Sequence, residues 1–505
     1  MAQATSMAWP AEIVFPLGDS LWWLQVAALL GYALLIERTP TVRLAAHIGW
    51  IFHTGVLACS LYWLYIAMAT YGGLPRWLAV VAVLALSVAL AVYGAVAAML
   101  YVHWRGQGAH WRVGLFAATW LLAELARGQW LSGFGWASAG YAHTQGPMAL
   151  WAPWIGVYGI GFVCALWAAA VVQGIVHHRW KSAAAWTVVV AMPGWLALAP
   201  NGFSHAASSI QVALLQGNIA QDEKFESTTG VAMALSWYGD QLRTVNAELV
   251  LAPETAIPIL PQQVPETYWD GLRTTAVSKS SVQLVGIPLG SYNDGYTNSV
   301  VALAGLPAHI EYRYDKHHLV PFGEFIPPFF KWFVRLMNIP LGDFNRGALL
   351  QKSVTVGGVR VSPSICFEDL FAEELAARFL ETSESPEIFA NFSNLAWFGD
   401  STAMYQHLHI SQMRSLEFER PFLRVSNTGV TAVVDHGGQL LAALAPGTRG
   451  VLHATVQGRK GLTPFARWSA RWGQWPLWLL AIGLATSAYW FRPRKHASAA
   501  PTPQT

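Results

Sequence analysis

The chain has 505 residues, of which 54% are hydrophobic and 12% are charged, and its formal net charge is +3. Soluble domains average about 25% charged residues, so this composition indicates a membrane protein, and the small net charge gives no reason to expect nucleic-acid binding. The charges are unevenly placed. Residues 1–200 are apolar and predict an N-terminal transmembrane domain of about six helices, residues 205–470 resemble a soluble domain, 475–491 predict one more membrane helix, and 492–505 form a polar tail.

Seven apolar segments predict membrane-spanning helices, since a bilayer core takes about 20 apolar residues per helix. Six precede the soluble region and one follows it. The first, sixth and last are short, and the sixth is the weakest prediction. The segments are Leu21–Ile36, Leu44–Ala69, Trp77–Val102, Val113–Trp130, Met148–Ile175, Ala183–Leu198 and Trp475–Trp490.

Basic residues in the connecting loops predict how these helices are oriented. They concentrate after the first, third and fifth segments and after the last, which places those loops and the C-terminus in the cytoplasm and residues 200–470 outside. Four further basic residues conflict with this rule, because they precede the last helix on its outer side. They could meet anionic headgroups or the soluble domain's own surface, and they are Arg459, Lys460, Arg467 and Arg471.

The soluble region alternates short apolar runs with helical patterns, which predicts an α/β domain. The predicted strands are Ile210–Gln216, Glu248–Ala252, Val282–Ile287, Thr297–Leu303, Val359–Ile365, Ile388–Asn391, Phe422–Ser426 and Thr431–Asp435. The predicted helices are Gly230–Ala247, Thr267–Ser280, Asp369–Leu380 and Ser401–Arg420.

Cys366 is the one cysteine of the polar region, since Cys59 and Cys164 lie in apolar segments. It ends a predicted strand and precedes a predicted helix. A helix N-terminus would favour the thiolate, so Cys366 is a candidate nucleophile. A buried structural cysteine is the alternative reading of this feature alone.

Three other ionisable residues stand near strand ends in settings rich in Gly and Pro: Glu254, Lys316 and Glu324. A carboxylate can take a thiol proton, the thiolate can attack a carbonyl, and an ammonium can stabilise the oxyanion. Each residue alone would more often be a solvated loop charge. Together with Cys366 they indicate acyl-transfer chemistry.

The order Glu254, Lys316, Cys366 resembles the Glu-Lys-Cys triad of the nitrilase, or carbon–nitrogen hydrolase, superfamily. Further motifs in both halves resemble the apolipoprotein N-acyltransferase family of the bacterial envelope. These motifs are Gln216–Ile219, Val320–Pro327, Ala396–Ser401 and Arg424–Thr431, together with Glu124, Arg127 and Gly133–Trp136. The resemblance implies a multi-pass α-helical membrane domain carrying a nitrilase-like αββα sandwich outside the cytoplasm.

The family implies a two-step reaction without a cofactor or metal. Cys366 would take an acyl chain from the sn-1 position of a phospholipid as a thioester, and the α-amine of a diacylglyceryl-cysteine at an apolipoprotein N-terminus would then accept it. Glu254 would be the general base and Lys316 the oxyanion stabiliser.

Supporting roles follow from the same resemblance. The backbone N–H of Phe367 would be a second oxyanion donor, Glu324 an additional carboxylate beside the triad, and Glu368 a support of the pocket that could orient Lys316. His407 and His409 are spaced for neither a metal pair on one helix face nor a zinc motif, so structural roles are expected for them.

Four residues are candidates for substrate contact. Phe225 stands where many family members have Trp near the lipid, and Arg346 could contact phosphate or form a loop salt bridge. Trp397 and Phe398 could line an acyl pocket or pack in the core. In the membrane half, the spacing of Glu124 and Arg127 favours a structural ion pair over a headgroup site.

This sequence differs from the family in its number of membrane helices. Family members usually have eight, whereas seven are predicted here. The implied location is the bacterial inner membrane, with the catalytic domain periplasmic and the C-terminus cytoplasmic, and a monomer is expected.

Two other functions are compatible with the sequence. One is a membrane-anchored amidase or nitrilase that passes the acyl group to water, and the other is an inert lipid-binding scaffold.

Overall fold

The computed structural model describes residues 1–106, 108–196, 202–226, 229–303, 311–327 and 344–490. The predicted tail, 492–505, lies outside the described residues.

The N-terminal half is helical. Two 3₁₀ helices, Ala139–His143 and Pro147–Trp151, and a π-helical turn, Ala67–Tyr71, interrupt the α-helices. The α-helices are α1 (Ala2–Thr5), α2 (Trp22–Arg38), α3 (Val42–Ser60), α4 (Leu64–Ile66), α5 (Arg76–Leu90), α6 (Val92–Trp104), α7 (Ala109–Gln129), α8 (Ala152–His177) and α9 (Trp180–Leu196).

Every segment predicted to span a membrane contains a helix. Among the described residues, three helical segments are long and apolar enough to cross a bilayer: Val42–Ser60, Arg76–Trp104 and Pro147–His177. The middle one joins α5 and α6, which meet at Ala91. The count of seven spans and their orientation stay predictions.

The C-terminal half contains two six-stranded sheets built to one plan. The strand orders are β12-β1-β2-β3-β4-β5 and β11-β10-β9-β8-β7-β6. Each sheet has three parallel central strands and antiparallel strands on both sides. The strands are β1 (Ser204–Gln216), β2 (Leu249–Ala252), β3 (Val282–Ser291), β4 (Gly295–Ala302), β5 (Arg313–Asp315), β6 (Val354–Val356), β7 (Val359–Ile365), β8 (Ile388–Ser393), β9 (Phe422–Ser426), β10 (Thr431–Val434), β11 (Leu440–Leu444) and β12 (Gly450–Gly461).

The apolar clusters show that the two sheets pack face to face between helices. One cluster joins both sheets through residues such as Leu214, Leu251, Val361 and Leu423. Separate clusters cover the outer face of each sheet with helices. The predicted four-layer αββα order is therefore confirmed. The helices are α10 (Gly230–Thr244), α11 (Glu266–Ser278), α12 (Ala372–Ala377), α13 (Ala403–Phe418) and α14 (Pro464–Trp472), and α15 (Trp475–Trp490) follows them.

Helix α13 connects the two halves. The Gln406 Oε1 atom accepts hydrogen bonds from the indole N–H groups of Trp63, at 3.1 Å, and Trp136, at 2.7 Å. Near its end, Glu417 accepts the backbone N–H of Val157 at 2.7 Å. Buried polar contacts of this kind fix both partners, so the C-terminal half is held directly against the N-terminal half.

Glu124 and Arg127 of α7 bind one loop instead of forming the expected ion pair. The Arg127 guanidinium donates to the carbonyls of Phe134, at 2.6 Å, and Trp136, at 2.5 Å, and Glu124 accepts the backbone N–H of Ala139 at 2.7 Å. Backbone carbonyls thus hold Arg127, a backbone N–H holds one oxygen of Glu124, and both residues fix the 133–139 loop next to the C-terminal half.

Candidate active site

Strand ends bring the predicted ionisable residues together. Glu254 follows β2, Lys316 follows β5, and Glu324 lies on the next turn of the chain. The Lys316 ammonium is 99% buried and lies 2.9 Å from the Glu324 carboxylate and 3.4 Å from Glu254. Two carboxylates therefore share one buried cation.

Two asparagines orient these carboxylates, and sequence reasoning missed both. The side-chain amide of Asn298 on β4 donates to Glu254 at 2.7 Å and to Glu324 at 2.8 Å. The backbone N–H of Asn394 donates to the other oxygen of Glu254 at 3.0 Å. A buried Asn in the middle of a strand is the signal that could have identified Asn298.

Cys366 stands at a strained turn directly after β7. Its φ is +51°, in the left-handed region that costs a non-glycine residue about 1–2 kcal/mol. Its backbone carbonyl accepts the side-chain amide of Asn391 at 3.0 Å. The residue is half-buried and forms no disulfide, so its thiol is free to react. The hydrogen bond from Asn391 to its carbonyl fixes the turn.

Burial, assisted by the Glu254 carboxylate, keeps Cys366 as a thiol. Burial raises its pKa, the Glu254 carboxylate raises it further, and Lys316 only partly opposes them. The helix-dipole argument predicted the opposite direction. A five-residue 3₁₀ helix, Cys366–Leu370, follows the thiol, and α12 begins only at Ala372, so little aligned dipole acts on the sulfur and burial prevails.

Lys316 keeps its proton in this setting. Burial alone lowers its pKa, but the charges of Glu324 and Glu254 outweigh burial, so the net shift is upward. A charged ammonium in contact with a carboxylate, coupled electrostatically to a neutral thiol, has the groups that acyl transfer requires.

Glu368 ties the segment after Lys316 to the cysteine turn. Its carboxylate accepts the backbone N–H groups of Ile365, at 2.6 Å, His317, at 2.6 Å, and His318, at 3.2 Å. It therefore fixes the backbone that follows Lys316, and within the described residues it forms no hydrogen bond with the ammonium itself.

The buried ring of Phe367 lies 6.3 Å from that of Phe134 in the N-terminal half.

Lys224 is a second buried lysine at the site, and sequence reasoning did not single it out. Its ammonium donates to the carbonyl of Glu254 at 3.1 Å and to the Thr255 hydroxyl at 2.5 Å. Burial lowers its pKa to about 7, against partial opposition from the Glu254 charge. It holds the turn that carries Glu254, where Thr255 has a φ of +47°.

The four candidate substrate residues differ in their surroundings. Phe225 is 37% exposed and follows Lys224. The exposed Arg346 stacks over the Phe325 ring at 5.1 Å. Trp397 and Phe398 are half-buried and meet the membrane half, through Tyr71 at 6.0 Å and Trp63 at 4.4 Å between ring centroids.

His407 and His409 take part in separate buried networks. His407 contacts Asp369 at 2.8 Å and Arg424 at 2.9 Å, and His409 contacts the Gly18 carbonyl at 2.7 Å. Within the ranges that the structure describes, no group of three His, Cys, Asp or Glu side chains is placed to hold a metal ion.

Comparison with known proteins covers both halves. Residues 13–170 match the model of the apolipoprotein N-acyltransferase N-terminal domain, and residues 211–464 match that of the carbon–nitrogen hydrolases. An amidase structure from Nesterenkonia sp. shows 18% identity over 53% of this chain and 95% of that chain, with a TM-score of 0.36.

Two curated relatives match nearly end to end. An apolipoprotein N-acyltransferase of Verminephrobacter eiseniae is 48% identical over 94% of this chain and 91% of its own length. That of Ralstonia nicotianae is 44% identical over 88% of this chain and 86% of its length. The chain therefore belongs to the apolipoprotein N-acyltransferase family, and its catalytic half is a carbon–nitrogen hydrolase domain.

Proposed function

We propose that this enzyme moves an acyl chain from a membrane phospholipid to the α-amine of the N-terminal diacylglyceryl-cysteine of apolipoproteins, through a thioester on Cys366. The observation that carries the proposal is the Lys316 ammonium held between Glu254 and Glu324, with a neutral thiol in the same electrostatic environment.

In the first half-reaction, Glu254 takes the proton of the Cys366 thiol as the sulfur attacks the ester carbonyl at the sn-1 position. The ester C–O bond then breaks, and the departing glycerol oxygen receives that proton from Glu254. The products are a lysophospholipid and an acyl thioester. Because the resting thiol is protonated, a base close to it is needed.

The negative charge that develops on the carbonyl oxygen has two stabilising groups in this proposal. Lys316 supplies a fixed positive charge, and the backbone N–H of Phe367 supplies a hydrogen bond directly after the nucleophile. Glu324 and Asn298 orient the ammonium and the base, and Glu368 fixes the cysteine turn.

In the second half-reaction, the lipoprotein amine attacks the thioester and gives its proton to Glu254. The C–S bond breaks, Glu254 returns that proton to the sulfur, and an amide is released. In this proposal Arg346 contacts phosphate, and Phe225, Trp397 and Phe398 contact the acyl chains. A site poor in water would protect the thioester from hydrolysis.

The proposed location follows from the substrates. Both are lipid-anchored, so a catalytic half (205–470) pressed against a membrane half (1–200) and anchored again by residues 475–491 can meet them at the bilayer surface. We place that half on the periplasmic side of the bacterial inner membrane, with the C-terminus in the cytoplasm and the enzyme acting as a monomer.

Intact-protein mass spectrometry tests the reaction. Purified full-length enzyme is incubated with phosphatidylethanolamine and no acceptor. We expect a fatty-acyl mass increase that hydroxylamine removes and that Cys366→Ser lacks. A diacylglyceryl peptide should then discharge the adduct and become an amide.

Two results would contradict the proposal. A hydroxylamine-sensitive adduct that persists in Cys366→Ser would be a thioester on another residue. Free fatty acid as the main product in the presence of the peptide, without amide, would indicate a hydrolase. The matched control is Cys59→Ser, which removes a half-buried cysteine from the membrane half and should behave as wild type.

A further inference from the structure

The structure divides the four basic residues that precede the last helix into two pairs. Arg459 donates to the Ser204 hydroxyl at 3.0 Å and carbonyl at 2.7 Å, and Lys460 lies 3.6 Å from Glu387. This pair meets the catalytic half's own surface. Arg467 and Arg471 on α14 are exposed, and in the described part of the chain no acidic side chain forms an ion pair with either.

Helix α14 is held firmly by its opposite face. Thr463 caps its start by accepting the backbone N–H of Ala466 at 3.0 Å. Phe465, Ala466 and Ser469 are buried, and the Trp468 indole N–H donates to the Trp154 carbonyl at 2.9 Å. Residues four apart lie on one helix face, so the two arginines form a fixed pair of positive charges.

Exposed indole rings follow this pair along the chain. Trp472 is 57% exposed and Trp475 is 65% exposed where α14 gives way to α15. Trp130, at the end of α7, is 56% exposed and stacks on Trp478 of α15 with ring centroids 5.6 Å apart. The ends of both helices therefore carry indole rings together, which is typical of a membrane–water interface.

We propose that Arg467 and Arg471 bind the phosphates of anionic phospholipid headgroups and so seat the catalytic half on the bilayer. Charge complementarity and continuity with the apolar helix α15, which begins at Trp475, both favour a lipid surface as the occupant. Exposed indoles beside the arginines would enter the headgroup layer, where Trp side chains concentrate. The inference rests on the membrane location given under the proposed function.

Lipid binding by the full-length enzyme tests this surface. The protein in a non-ionic detergent is titrated with phosphatidylglycerol or with phosphatidylcholine, and bound lipids are counted by native mass spectrometry. We expect tighter binding of phosphatidylglycerol. The R467Q/R471Q variant should lose about five-fold in that affinity for each arginine and should bind phosphatidylcholine as before.

A variant with the same loss of charge is the control. R243Q/R273Q removes two arginines from α10 and α11, where they pair with Asp240 and Asp270, and should leave phosphatidylglycerol binding unchanged. Equal losses in both variants, or none in R467Q/R471Q, would overturn the proposal. So would arginine-dependent binding of a polyglutamate peptide without selectivity for phosphatidylglycerol, which would indicate an acidic protein partner.

The thioester assay separates this inference from the proposed function. Cys366→Ser should bind phosphatidylglycerol as wild type and form no adduct, and R467Q/R471Q should still form the adduct from phospholipid supplied in detergent. Adduct formation without arginine-dependent lipid selectivity would refute this surface alone. Selectivity without an adduct in the wild type would refute the proposed reaction alone.

Discussion

Lys316 lies closer to Glu324 than to the proposed base: its ammonium is 2.9 Å from Glu324 and 3.4 Å from Glu254. Glu324 also accepts the backbone N–H of Val320 at 2.9 Å, which fixes it in place. The closest charge partner of the lysine is thus a residue that transfers no proton in the proposed mechanism. Glu254 can therefore exchange a proton with Cys366 while Lys316 keeps a counter-ion.

Glu254→Gln should lower the rate of thioester formation at least about 100-fold, the scale of a lost general base. Glutamine keeps the size of the side chain and can still accept from Asn298, so the enzyme should fold, with some loss of stability because the backbone N–H of Asn394 loses its acceptor. The rate is measured by the hydroxylamine-sensitive adduct, with the exposed Glu384→Gln as control. A near-normal rate would remove Glu254 as the base.

Lys316→Arg should also lose about 100-fold or more, because a planar guanidinium does not fit a slot built for a compact ammonium. The side chain is 99% buried between two carboxylates, and the larger group would displace them. Single-turnover acylation measures the effect. Lys352→Arg, at an exposed position, should be neutral, and a fully active Lys316→Arg enzyme would contradict the oxyanion role.

Glu324→Gln should move the alkaline loss of activity to lower pH. Burial lowers the Lys316 pKa, and Glu324 is the larger of the two carboxylate charges that raise it above its ordinary value. Without that charge, the ammonium deprotonates more easily. Acylation rates between about pH 7 and about pH 9 should therefore fall more steeply than in wild type. Identical pH profiles would show that Glu324 does not control the lysine's charge.

The sequence predicted the central strands well because they are buried runs bounded by turns. Val359–Ile365 and Phe422–Ser426 have the predicted bounds. Strand β12, Gly450–Gly461, was missed because Gly, Gln and Arg interrupt its apolar alternation. Its conformation is set by eleven paired positions along β1, a long-range interaction that no local pattern contains.

The contacts of the active site are also long-range and could be predicted only in part. The sequence placed Glu254, Lys316 and Cys366 at strand ends, and the structure brings the first two into contact there. The partner of Glu254 at Asn394 lies 140 residues away along the chain, and nothing in either segment predicts that contact. Burial, too, is a property of the folded chain, so the upward shift of the Cys366 pKa could not be read from a helix start.

Glu368→Gln should weaken the cysteine turn. The carboxylate accepts from three backbone N–H groups and from the Tyr314 hydroxyl at 2.9 Å, whereas glutamine offers one accepting oxygen and a clashing donor. Each buried N–H left without a partner costs about 1–3 kcal/mol. We expect a lower unfolding temperature together with slower acylation. Glu384→Gln serves again as the control, and unchanged stability would contradict the bracing role.

Lys224→Met should change how stability depends on pH. The folded enzyme releases the Lys224 proton near pH 7, because burial lowers that pKa to about 7, whereas the unfolded chain holds the proton up to about pH 10.4. Between these values the unfolded state binds more protons, so the stability of the wild type should rise with pH relative to Lys224→Met, by at most about 1.4 kcal/mol per pH unit.

Thermal unfolding of both proteins at about pH 7 and about pH 9 measures this difference. At the higher pH the wild type should become more stable relative to Lys224→Met, since methionine has no proton to release. Lys352→Met removes an exposed lysine, and its stability should change between the two pH values as much as that of the wild type. If the stability of Lys224→Met changes with pH as that of the wild type does, Lys224 keeps its charge in the folded enzyme. Its two hydrogen bonds to the Glu254 turn would then offset the effect of burial on its pKa in full.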